Sequence, residues 1–209
     1  MIRIGVLISG NGSNLQAILD ACREGRIPGE VVVVLSDKAD AFGLERAHRA
    51  GVEAIHVDPA AYPTRTAFDA ALAELLQARE VDLVCLAGYM RLVRKPMLTA
   101  FPDRILNIHP SLLPAFPGLD AQGQALAYGV KVAGCTVHFV TAGMDEGPII
   151  LQAAVPVLED DTHEDLRARI QAEEHRIYPE AVRLFAEGRL RIEGRRVRIL
   201  SPTAQEGDS

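Results

Sequence analysis

Ile2-Arg3-Ile4-Gly5-Val6-Leu7-Ile8-Ser9-Gly10-Asn11-Gly12-Ser13-Asn14-Leu15 is the stretch that decides the fold. A short apolar run ends in a glycine-rich turn, after which Leu15, Ile18, Leu19 and Cys22 recur at helical spacing. That is the pattern of strand, tight loop and helix. Downstream the same rhythm returns. Residues 31–35 read as a second strand, 42–50 as a helix closed by Gly51, 52–57 as a third strand, and 64–78 as an Ala-rich helix capped by Thr64. Residues 82–87 supply a fourth strand, Pro96 suits the first turn of a short helix, and 104–108 supply a fifth strand. Such alternation predicts an α/β fold with a mostly parallel sheet flanked by helices on both faces.

Beyond Pro110 the rhythm changes. Residues 121–128 read as a short helix stopped by Gly129, and 132–140 and 149–157 as two strands. Their connection, Thr141-Ala142-Gly143-Met144-Asp145-Glu146-Gly147-Pro148, is too short for a crossover helix, so the pair is expected to be antiparallel. Residues 162–187 form a long amphipathic pattern with Leu166, Ile170, Ile177, Val182 and Phe185 on one side, in which Pro179 is expected to kink the helix or end its first half. Residues 190–200 look like a hairpin turning near Glu193-Gly194. Its arginines, Arg189, Arg191, Arg195, Arg196 and Arg198, invite an RNA reading, but alternation with apolar residues also fits a charged face guarding a sheet edge.

The chain has 209 residues, 48% of them hydrophobic, enough for a core without disulfide or metal. A net charge of -6 argues against affinity built on phosphate neutralisation along nucleic acid. Cys22, Cys85 and Cys135 lack CxxC spacing and read as reduced thiols of a cytoplasmic protein. No stretch resembles a signal peptide or a membrane span, and no His or Cys pair shows metal-ligand spacing, so neither membrane nor metal is expected. Residues 1–200 are expected to form a single domain, with nucleotide-binding and second halves of about 1–107 and 108–200, and 201–209 a flexible tail.

Asn107-Ile108-His109-Pro110-Ser111-Leu112-Leu113-Pro114 carries the chemistry. Side chains two apart on a strand share a face, so Asn107 and His109 can point at one object beyond the strand end, where open α/β sheets put their ligands. Asp145 follows the next strand in a glycine-bracketed loop suited to a carboxylate held against another segment. A neutral donor, an imidazole and an anion, with no Ser or Cys nucleophile paired to the histidine, suit carbonyl chemistry in which the substrate brings the nucleophile. Core packing and ligand contact remain open for His138. Gly10-Asn11-Gly12-Ser13-Asn14 lies where backbone amides and a helix dipole meet an anion, the reading favoured over a ligand-free tight turn. There is no third glycine, and Asp37 is a weak substitute for the ribose acid, so a mononucleotide phosphate fits better than a dinucleotide.

These segments, with Leu86-Ala87-Gly88-Tyr89-Met90-Arg91, Asp145-Glu146-Gly147-Pro148-Ile149-Ile150 and Glu174-His175-Arg176-Ile177-Tyr178-Pro179, resemble the folate-dependent phosphoribosylglycinamide formyltransferase family over nearly the whole chain. The resemblance implies a Rossmann-like N-terminal half, a C-terminal half forming a folate cleft, and formyl transfer from 10-formyltetrahydrofolate, as cosubstrate, to glycinamide ribonucleotide in purine synthesis. It implies Asn107, His109 and Asp145 as catalytic, and Gly12, Ser13, Asn14 and Glu174 as ribonucleotide-binding. Folate would meet Arg65, Met90, Arg91, Leu92, Val93, Val140, Thr141, Ala142, Gly143 and Met144, with Leu86, Leu98 and Ile105 completing a pterin pocket. The implied partners are these two small molecules, without nucleic acid or membrane, to a monomer or homodimer. Two departures thin the positive charge near the phosphate: the segment 115–123 lacks the basic residue and histidines often found there, and Gln171 replaces a lysine seen in some members. Gly118 and Gly123 mark the same segment as a candidate mover. The rivals are methionyl-tRNA formyltransferase, expected to carry a further C-terminal domain, formyltetrahydrofolate hydrolase, expected to carry an N-terminal one, and a noncatalytic nucleotide-binding module.

Overall fold

The computed structural model describes residues 1–202, so the tail expected over 201–209 lies, beyond Pro202, outside the described residues. Strand β1 (Ile2–Ile8) leads through the glycine loop into α1 (Ser13–Arg23). The chain continues through β2 (Gly29–Ser36), α2 (Phe42–Arg49), β3 (Glu53–His56), α3 (Arg65–Gln77), β4 (Leu83–Leu86), α4 (Lys95–Ala100) and β5 (Ile105–His109). Thr64 caps α3 by accepting a bond from the Ala67 amide at 3.1 Å. The second half holds α5 (Ala121–Tyr128), β6 (Val132–Phe139), β7 (Ile149–Pro156), α6 (His163–Ala186), β8 (Leu190–Glu193) and β9 (Arg196–Ile199).

One nine-stranded sheet, ordered β3-β2-β1-β4-β5-β6-β7-β9-β8, runs through both halves. Its first five strands are parallel, β6 reverses against β5, and β7 reverses against β6. The terminal hairpin joins through one parallel bridge, Ile149 to Arg196. One apolar layer packs α1, α2 and α6 on the sheet; the opposite layer packs Phe68, Leu72 and Leu76 of α3 with Met97 of α4. Because β2 and β4 lie on opposite sides of β1, strand order reverses there, and a crevice opens at the C-terminal ends of β1 and β4.

Two sequence expectations are corrected. Pro179 does not end the helix: α6 is a single 24-residue element with Pro179 inside it. An interior proline costs about 3 kcal/mol. Its neighbours offset that, since Tyr178, Ala181 and Val182 are completely buried against the sheet and each large apolar side chain so buried contributes roughly 1.5–3 kcal/mol. The Tyr178 hydroxyl also donates to the carbonyls of Leu86 at 2.9 Å and Leu106 at 3.1 Å, pinning α6 between β4 and β5. The fifth strand runs one residue further than expected, so His109 occupies its last rung opposite Thr136, and Asn107 sits opposite His138.

Candidate functional site

The crevice is a cleft of about 630 Å³ lined from the loop after β1, the start of α1, the strands β4, β5 and β6 and the helix α6. At its centre Asn107 and His109 share one face of β5, as their spacing requires. Their partners come from the antiparallel strand and the loop after it. His138 Nδ1 lies 2.8 Å from the Phe139 carbonyl, which can only accept, so that nitrogen carries the proton. Burial pushes the His138 imidazole below its ordinary range and keeps it neutral. Its Nε2 then accepts from the Asn107 amide at 3.1 Å. That bond leaves the second amide hydrogen of Asn107 for the cleft.

His109 lies beside this pair. Its Nε2 is 2.9 Å from the Phe116 carbonyl, so Nε2 donates, and its Nδ1 is 3.5 Å from Asp145 Oδ2. The other carboxylate oxygen, Oδ1, is 3.8 Å from His138 Nε2. Asp145 also accepts a 2.9 Å bond from the Gly118 amide, which ties segment 115–123 to the loop between β6 and β7. Phe116, Asp120 and Asp145 all adopt positive φ, a conformation uncommon outside glycine that collects at functional sites. Gly147 closes the loop where no other residue fits, since a Cβ there would collide with the Phe139 carbonyl. Arg195 of the terminal hairpin donates to the Glu146 carbonyl at 3.0 Å, while Arg191 and Arg198 pair with Glu193. Arg191, Arg195 and Arg198 thus serve the fold's own edge and loop.

At one end of the cleft α1 presents its N-terminus. Gly12 adopts φ 74° and no side chain caps the helix. A Cβ at Gly12 would lie 2.7 Å from Gly43 Cα, so packing of α2 requires glycine. Helix α6 crosses this turn. Gln171 Nε2 donates to Ser13 Oγ at 2.9 Å, and Asn14 Nδ2 donates to Glu174 Oε2 at 2.9 Å. Burial raises the Glu174 carboxyl above its usual range, against the lowering effect of the Asn14 bond. Asn14 Oδ1 is buried without a partner, a state that costs about 1–3 kcal/mol unless something donates to it.

At the other end Met90 and Met144 expose large apolar surfaces beside Leu86, Leu92, Val93 and Val140. Asp37 is not a ribose acid. It is buried between Ser9 Oγ at 2.6 Å and Arg91 Nε at 2.9 Å, and Ser9 Oγ accepts from the Met90 amide at 2.9 Å. This chain of bonds locks the loop after β4 to the loop after β1.

Of the residues expected at the site, Gly12, Ser13, Asn14, Asn107, His109, Asp145 and Glu174 line the cleft together. So do Met90, Arg91, Leu92, Val93, Val140, Thr141, Gly143 and Met144. Arg65 and Ala142 do not; Arg65 stands exposed at the start of α3. Leu98 and Ile105 belong to the core layer beneath the cleft instead of its wall. The sequence reading passed over Arg167, which lines the cleft from α6, and left His138 undecided although its register opposite Asn107 marks it. Among the described residues no group of three or more His, Cys, Asp or Glu is arranged to hold a metal ion, and no helix is long and apolar enough to cross a membrane.

Comparison with known proteins adds an independent line. Residues 2–182 match the formyl transferase family. The chain is 49% identical to the phosphoribosylglycinamide formyltransferase of Escherichia coli (strain K12) over 191 residues, which are 91% of this chain and 90% of that protein. It is 47% identical to the trifunctional purine biosynthetic protein adenosine-3 of Bos taurus over 91% of this chain, but only 19% of that longer protein. A crystal structure of glycinamide ribonucleotide transformylase 1 from Symbiobacterium toebii is similar with a TM-score of 0.96 and 85% identity, covering 96% of this chain and 95% of that one.

Proposed function

The chain belongs to the formyl transferase family, and from that premise we propose that it transfers the formyl group of 10-formyltetrahydrofolate to the primary amine of glycinamide ribonucleotide, a step of purine synthesis in the cytoplasm. The observation that carries this reading is the gathering of Asn107, His138, His109 and Asp145 at one point of the cleft, between an anion-ready helix end and an apolar wall. Such a cluster suits a single carbon passed between two bound molecules.

In this mechanism the ribonucleotide phosphate rests on the turn of Gly12, Ser13 and Asn14, with Glu174 toward its sugar. The pterin lies along Met90 to Val93 and Val140 to Met144, with backbone groups doing much of its recognition. Arg65 toward the glutamate tail and Ala142 at the pterin rest on the resemblance alone. The amine nitrogen bonds to the formyl carbon, the bond to the folate nitrogen breaks, and the proton shed by the amine ends on the departing nitrogen. Negative charge gathers on the formyl oxygen in between. The second N–H of Asn107 donates to that oxygen, and protonated His109, whose charge Asp145 sustains, stabilises it. One such donor is worth roughly 3–4 kcal/mol of barrier. Asp145 stabilises the imidazolium and relays the amine proton through water. No covalent enzyme intermediate is required.

Incubation with 10-formyltetrahydrofolate, with and without glycinamide ribonucleotide, tests the reading. Tetrahydrofolate is expected only when the amine is present. Release without the amine identifies a hydrolase instead, and binding of the ribonucleotide without turnover identifies a noncatalytic module.

A further inference from the structure

We infer that Arg167 is the side chain that carries the positive charge for the ribonucleotide phosphate in this protein; the inference rests on the ribonucleotide reading above and names a residue for it. Helix α6 directs three side chains at the α1 turn from successive turns of one face: Arg167, Gln171 and Glu174. Two of them are already engaged there, Gln171 on Ser13 and Glu174 on Asn14. Neither can neutralise a phosphate, and Glu174 opposes one. Among the described residues lining the cleft, the only arginines or lysines are Arg91 and Arg167. Arg91 is held by Asp37 at 2.9 Å, at the opposite end. Arg46 clasps the glycine loop through Asn11 at 2.8 and 3.0 Å and is not part of the cleft wall. That leaves Arg167.

The position suits the task. Arg167 pairs through Nε and Nη2 with Glu164, an exposed partner three residues before it. Exposed pairs of this kind contribute little, so the guanidinium can exchange a surface carboxylate for a phosphate and grip two oxygens in a fork. The buried, unpartnered Asn14 Oδ1 beside the same turn independently indicates a ligand with a donor there. A sugar hydroxyl next to a phosphate is such a donor. The charge missing at Gln171 is thus restored one helical turn earlier on the same helix.

The experiment compares the wild type with Arg167→Ala, an exposed position whose replacement leaves the packed face of α6 intact. The readouts are binding of inorganic phosphate by calorimetry, its inhibition of turnover, and steady-state rates with glycinamide ribonucleotide and with the riboside that lacks the phosphate. In the variant, KM for the ribonucleotide and the inhibition constant for phosphate rise about tenfold or more, the loss typical of a bond to a charged group. The folate KM, the saturated kcat and the rate on the riboside stay unchanged. Values for ribonucleotide and phosphate within twofold of the wild type overturn the inference, as does an equal loss on the riboside. A wild type that binds phosphate through Arg167 yet formylates nothing overturns the formyl-transfer reading and leaves the anion site standing.

Discussion

Replacing Asp145 by Asn removes a charge while keeping a shape, and the geometry fixes what should follow. Asp145 Oδ2 does two jobs: it accepts from the Gly118 amide at 2.9 Å and faces His109 Nδ1 at 3.5 Å. An asparagine retains an oxygen for Gly118, so segment 115–123 stays tied, but it meets the imidazole without negative charge. At 3.5 Å and an effective dielectric of about 20, the gross attraction between carboxylate and imidazolium is about 5 kcal/mol. Desolvation consumes much of this, and the net worth of a hydrogen bond to a charged group is about 1.5–3 kcal/mol. Asp145→Asn should therefore lower kcat by about ten- to a hundredfold, with KM for both substrates within a few-fold of normal. Asp145→Ala loses the tie to Gly118 as well and should fall further, with a raised folate KM. Both variants are followed by the absorbance change that accompanies loss of the formyl group from folate. A kcat for Asp145→Asn within threefold of the wild type would refute the electrostatic argument. Equal losses in the two variants would show that the tie to Gly118 adds nothing beyond the charge.

Gly147→Ala forces a Cβ against the Phe139 carbonyl and close to His138 Nδ1, within 3.4 Å; overpacking of this kind typically costs about 1–3 kcal/mol, so the melting temperature and kcat should both drop although no functional side chain is touched, and a variant with wild-type kcat shows that the loop absorbs the methyl. His138 has a folded-state pKa lowered by burial, so the unfolded chain binds a proton that the native one refuses. Stability should therefore decline as pH falls below about 6.5; in urea titrations at pH 7, 6 and 5, His138→Gln should flatten that decline, and an identical slope in the variant would remove His138 from it. Glu174 has a folded-state pKa raised by burial, so its contribution disfavours folding as pH rises above the unfolded value of about 4.3. Glu174→Gln should raise the melting temperature at pH 8 while weakening ribonucleotide binding, and a fall in both would show that the carboxylate's bond to Asn14 outweighs its desolvation.

The alternation of strand and helix through Ile108 was legible because each helix carries one apolar face and each buried strand is a short unbroken apolar run, as in Leu83–Leu86. The reversal of β7 against β6 was legible from the length of their connecting loop, whereas that of β6 against β5 was not. Pro179 misled as a helix stop because local propensity says nothing of the sheet on which Tyr178, Ala181 and Val182 settle. At the site, Asn107 and His109 declare themselves by spacing and Asp145 by its glycines. His138 does not, since its meaning lies in a cross-strand register, and Arg167 does not, since an arginine on an amphipathic helix looks like any solvated charge until the neighbouring turn of α1 is seen. Arg65 and Ala142 came from resemblance and have no counterpart in the cleft wall.

The crossing of α1 by α6, with Gln171 on Ser13 and Glu174 on Asn14, joins segments about 160 residues apart in the chain. During synthesis the parallel strands can pair while α6 is still being translated, since N-terminal segments fold first. A nascent chain at that moment owns the glycine turn and even the Asn-His pair, yet lacks the wall that would hold a ribonucleotide against them. Competence to bind arrives late, with the docking of one helix, so an arrested translation product or a fragment cut before α6 should be inert toward the nucleotide however well its sheet has formed.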